Sequence, residues 1–135
     1  MSAVNPATLY ERLGGHEGIL RLITPFYVDV RQHHLLGPIF NARIQDWPAH
    51  LDHITDFWAR QTGGPSRYEG GFAGAHLQLG IAPEHVEQWL ALWEFNCRRQ
   101  LPATEAAEVS ALARGIGTQL QKILSGRSGL SIGPD

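Results

Sequence analysis

Cysteine occurs once, at Cys97, so no internal disulfide can form and a disulfide-stapled scaffold is excluded. Lysine also occurs once, at Lys122, and outside the neighbours Arg98 and Arg99 no basic cluster exists. With a formal charge of -2, the chain offers no electrostatic footprint for nucleic acid. No apolar run reaches the roughly 18 residues that mark a membrane span, and MSAVNPATLYERLGG lacks the basic start and apolar core of a secretory leader. The expectation is a cytoplasmic protein without integral membrane association. Runs of β-branched residues with two-residue alternation are missing, as are repeats and low-complexity tracts.

What is present is helical. The 135 residues, 43% hydrophobic and 18% charged, fit one globular domain over 1–135. Thr8 and Glu11 have capping-box spacing, and Gly14-Gly15 follow, which predicts one short helix. Ile19, Leu22, Ile23, Phe26, Tyr27 and Val30 recur at helical steps over 16–31; Pro25 inside that run bends the helix or divides it. Residues 33–44, with Gly37-Pro38, read as a connector plugged by Leu36, Ile39 and Phe40, with His33 and His34 facing solvent. Asp46 caps a helix over 47–61 whose inward face carries Trp47, His50, Leu51, Ile54, Phe57 and Trp58, while Asp52, Asp56 and Arg60 lie elsewhere. After Gly63-Gly64-Pro65 the chain is irregular to Gly71. Pro83 opens a helix with Val86, Leu90, Trp93 and Cys97 in one stripe and Trp89 beside it. A last helix starts at 102–105 and runs to 124, where Gly115 and Gly117 permit close approach of a backbone or a flat ligand; 125–135 is expected as a frayed tail. The fold class is therefore all-α, with five or six helices and a core over about 8–124.

Three of the seven histidines fall on or beside apolar stretches. His76, in FAGAHLQLG, is either a satisfied core imidazole or a metal ligand, since neutral imidazole binds iron or zinc. His50 is inward on its stripe and His53 one step round from it. Tyr27 is either core filler or a donor pointing into a pocket. Arg67 and Tyr68, in a glycine-flanked loop, suit a clamp for carboxylates or plain surface decoration.

LGG, PFY, IFNARIQDWPAHLDHITDFW, GGPSRY, GAHLQL and EQWLALW occur in an order that resembles the truncated haemoglobins, over roughly residues 9–124. DWPAHLDHITDFW resembles the third group of that family, the early GG and the GGP the second. The resemblance implies a two-over-two helical sandwich around a haem b. His76 would then be the proximal iron ligand, Phe40 the aromatic stacked on the porphyrin and Phe72 a proximal contact. Tyr27, His50 and Trp89 would line the distal side, with Ile54, Phe57 and Trp58 continuing its wall. His53, Arg67 and Tyr68 would meet the propionates. Dioxygen, nitric oxide and carbon monoxide are the implied ligands. Nitric oxide dioxygenase or peroxidase-like chemistry would need an unknown reductase. Two other classes stay open: a non-haem metalloenzyme using His50, His53 and His76 with Asp56 or Glu84, and a helical interaction domain without cofactor.

Overall fold

The computed structural model describes residues 7–71 and 80–129, with side chains through 125, and within them the chain forms six helices and no strand. Helix α1 (Leu9–Leu13) starts at the expected capping box: the Glu11 N–H donates to Thr8 Oγ1 at 3.1 Å, and the Thr8 N–H donates to Glu11 Oε1 at 2.9 Å. Gly14, at φ 98°, closes α1 and at once begins α2 (Gly15–Gln32). A Cβ on Gly18 would lie 1.7 Å from the Leu13 carbonyl oxygen, so the two helices meet at this angle only because that side chain is absent. Pro25 does not divide α2, which is one helix with all six predicted apolar residues buried.

Residues 33–44 are not merely a connector: Leu36–Arg43 forms a helix, α3. Proline is tolerated because Pro38 sits in the first turn, where an N–H has no intrahelical partner. His33 caps the turn, its Nδ1 accepting from Leu35 N–H (3.1 Å) and Leu36 N–H (3.2 Å), a role its solvent-facing reading missed. Gly37 lets α3 lie on α2, because a Cβ there would come within 2.5 Å of the Arg31 carbonyl oxygen. Leu36 and Phe40, four residues apart, are thereby buried.

Helix α4 (Trp47–Thr62) begins at Asp46, whose carboxylate accepts from Ala49 N–H at 3.1 Å, and ends at Gly63, φ 95°. It buries a second stripe besides the aromatic one: Thr55, Asp56, Ala59 and Thr62. The two threonines satisfy their hydroxyls on the preceding turn, Thr55 to Leu51 O at 2.8 Å and Thr62 to Trp58 O at 2.7 Å. Helix α5 (Pro83–Gln100) packs most extensively along α6 (Ala103–Gly129), whereas α2 packs on α3, α4 and α5; these pairings make the two-over-two sandwich. Helix α6 continues through Ser125–Gly129, five residues into the expected tail. Trp93, Phe26 and Leu90 are fully buried at the centre, each worth about 1.5–3 kcal/mol relative to exposure. Among the described residues no helix is long and apolar enough to cross a membrane.

Candidate functional site

The sandwich leaves a cleft enclosing ≈ 620 Å³ of space, open mouth included. Tyr27 comes from α2, Leu36 and Phe40 from α3, and Ile54, Phe57 and Trp58 from α4; His85, Val86 and Trp89 come from α5, Ile116, Gly117 and Leu120 from α6, and Ile81 precedes α5. Its walls are aliphatic and aromatic, which suits a flat apolar body.

One pole is polar. Tyr27 is 4% exposed, and burial pushes its phenol well above the ordinary range, an effect partly offset by the nearby Trp89 indole N–H. The ring of Tyr27 meets that of His50 edge-on at 5.8 Å, and His50 in turn meets Trp47 at 5.5 Å. Arg31 lies 4.6 Å over Trp47. Behind the pole, Trp89, Trp93 and Trp58 form a continuous stack, 5.4 Å and 4.8 Å between centroids with planes 5° and 10° apart.

The cleft thus brings together Tyr27, Phe40, Ile54, Phe57, Trp58 and Trp89 of the sequence-predicted set. His50 stands half-buried beside Tyr27, off the cleft wall. His53 is exposed, its ring 5.3 Å from that of Tyr68, which packs 5.1 Å from Phe57 and lines an adjoining cavity sharing Phe57, Ile116 and Leu120 with the cleft. His76 and Phe72 lie outside the described residues.

Asp56 lies off the aromatic stripe, as expected, and is 5% exposed. Arg67, read as a fork for a ligand's carboxylates, closes on Asp56, its Nε and Nη2 donating to Oδ2 at 3.1 and 2.8 Å. Burial alone would push the Asp56 carboxyl up, yet the bonds from Arg67 and His16 outweigh it and hold the group below the usual carboxylate range. The metal set with Asp56 therefore loses its carboxylate to another partner, and among the described residues no three His, Cys, Asp or Glu side chains are grouped for a metal.

His85 was not among the predicted site residues, although its position four before Trp89 places both on one face. Its Nδ1 accepts the Ala82 N–H at 2.8 Å, so in the neutral ring Nε2 carries the hydrogen and has no lone pair for a metal. Cys97 is buried, which pushes its thiol up to about 12, with a bond from Ser110 acting the other way; it is no nucleophile at neutral pH.

Comparison with known proteins places this geometry. Residues 8–111 match the model of the bacterial-like globins. The group 3 truncated haemoglobin ctb of Campylobacter jejuni is 40% identical over 83 residues, 58% of this chain, and the match spans 65% of that relative's length. The crystal structure of a group III truncated haemoglobin from Campylobacter jejuni superposes with TM-score 0.77 at 32% identity, covering 82% of this chain and 91% of that one. A group II truncated haemoglobin from Bacillus anthracis superposes with TM-score 0.73 at 26% identity, covering 87% and 92%. The chain belongs to the bacterial-like globin family, as a truncated haemoglobin.

Proposed function

We propose that the cleft takes a haem b and that a diatomic gas, dioxygen, nitric oxide or carbon monoxide, is held at the pole made by Tyr27 and Trp89. The observation that carries this reading is the donor pair itself, a phenol and an indole N–H facing each other in a cleft otherwise walled by apolar and aromatic side chains. Similarity to the truncated haemoglobins of Campylobacter jejuni and Bacillus anthracis supports the same cofactor here.

The residues present fit the group. Phe40, Ile54, Phe57 and Trp58 would hold the ring by apolar contact, and His53 and Tyr68 form the rim for its carboxylates. Arg67 keeps N–H donors beyond the two bonded to Asp56. The iron ligand is His76, proposed from its sequence context; the Nε2–H tautomer of His85, which lines the cleft, makes that imidazole unsuited. When bound, ferrous haem supplies an open coordination position and a redox-active metal.

The chain's own groups decide how long a polar ligand stays. The Tyr27 hydroxyl and the Trp89 indole N–H both line the cleft, and each carries a hydrogen that an acceptor there can take. A hydrogen bond to a partly charged acceptor in a dry pocket is worth about 1.5–3 kcal/mol, or roughly one to two decades in release. His50, against the Tyr27 ring, can supply a further bond. Slow release suits gas retention, nitric oxide oxidation or peroxide turnover with an external reductase better than bulk delivery.

Titration of the purified chain with hemin tests the reading: a stoichiometric Soret band is expected, and its absence overturns the cofactor assignment. His76→Ala should abolish the five-coordinate ferrous spectrum, with partial recovery in imidazole. An unchanged ferrous spectrum would overturn His76 as the ligand.

A further inference from the structure

Away from the cleft, four side chains from three elements and a loop form an ordered relay. Tyr10 on α1 bonds through its hydroxyl to His16 Nδ1 on α2 at 2.5 Å. His16 Nε2 lies 3.3 Å from Asp56 Oδ1 on α4, and Asp56 is fixed from the other side by Arg67. The direction of each bond follows from chemistry. Asp56, ionised beside a guanidinium, only accepts, so His16 Nε2 carries the hydrogen and Nδ1 keeps its lone pair toward Tyr10. The Tyr10 O–H therefore donates to a base whose far side is already oriented by a carboxylate. Tyr10 is half-buried, its ring filling the space a side chain on Gly64 would take, and the His16 side chain is 40% exposed, so a proton on it can exchange with solvent.

We propose that Tyr10 is a redox-active tyrosine, oxidised by one electron with its proton passing to His16. In the step the phenolic O–H bond breaks, an N–H bond forms at His16 Nδ1, and one electron goes to a small radical oxidant of the nitrogen dioxide class, which becomes nitrite. The products are a neutral phenoxyl radical and an imidazolium facing the Asp56 carboxylate. Without the base, oxidation would leave a strongly acidic phenol cation; the relay removes that intermediate. His16 acts as proton acceptor and Asp56 as its positioning residue. Nothing in the gas-binding reading requires this activity, and it stands without that reading.

Hexachloroiridate(IV) mixed with the purified 135-residue chain, prepared without haem, followed by freeze-quench electron paramagnetic resonance, tests it. A phenoxyl signal is expected in the parent, absent in Tyr10→Phe and retained in Tyr68→Phe, and its formation should be slower in deuterium oxide. His16→Gln keeps a hydrogen-bond acceptor but no base, and should slow formation at least about tenfold. An equal phenoxyl yield in Tyr10→Phe overturns the proposal. So does an undiminished rate in His16→Gln, which would leave the relay as a clasp between helices.

Discussion

The Trp89 indole N–H on α5 acts on the Tyr27 hydroxyl on α2, opposing the rise that burial imposes on the phenol's pKa. Phe26 braces both partners from the core side, its ring 4.8 Å from that of Tyr27 and 5.2 Å from that of Trp89, edge-on to each. Each aromatic is thus fixed by packing before any ligand is considered, and the polar atoms are set in a cleft wall that is otherwise apolar except at His85.

Because burial raises the Tyr27 pKa in the folded chain, its phenol stays protonated well above the unfolded value of about 10. Below that pH folded and unfolded states bind the proton equally. Above it the unfolded state loses the proton first, so stability falls as pH rises. Urea unfolding between pH 8 and 11 should show this alkaline decline in the parent and a shallower one in Tyr27→Phe. Parallel curves would mean that Tyr27 titrates in the folded state.

Asp56 predicts the opposite limb. Its folded pKa is held below the unfolded value of about 3.9, so its contribution is fully present above that pH and is lost as pH falls through the folded pKa. Asp56→Asn should flatten the acid side of the stability profile. Arg67→Ala, which leaves the buried carboxylate with fewer donors, should cost roughly 1–3 kcal/mol at pH 7, toward the low end because the guanidinium is largely in water.

Two helical glycines on α6 should respond in opposite directions. A Cβ on Gly117 would meet Leu90 Cδ1 at 2.8 Å, and Leu90 is fully buried, so Gly117→Ala should destabilise by about 1–3 kcal/mol through overpacking. Nothing lies within 4 Å of a Cβ on Gly115, so Gly115→Ala should stabilise by roughly 0.4–1 kcal/mol. Thermal melts of both variants decide it; equal shifts would contradict the close approach of α5 and α6.

Much of this architecture was legible in the sequence because its signals are local. The Thr8–Glu11 box, Asp46, Gly63 and Pro83 mark element ends by chemistry within one turn, and the stripe Val86, Leu90, Trp93, Cys97 needs only the helical period. What was hidden depends on distant partners. Gly37-Pro38 reads as a turn until α2 is present for Gly37 to lie against. The burial of Asp56 was not legible because its cation arrives from a loop 11 residues on. The family resemblance pointed to Tyr27, Phe40, Ile54, Phe57, Trp58 and Trp89 together, and all six line one cleft; periodicity alone left Tyr27 as either donor or filler.

Stopped-flow release of dioxygen and carbon monoxide from the haem-loaded parent, Tyr27→Phe and Trp89→Phe tests the polar pole most directly. Tyr27→Phe keeps the ring and its packing and removes only the hydroxyl. The account predicts dioxygen release faster by about tenfold or more, since 1.4 kcal/mol is one decade, with a smaller change for the less polar carbon monoxide. Small and equal changes for the two gases in both variants would contradict it.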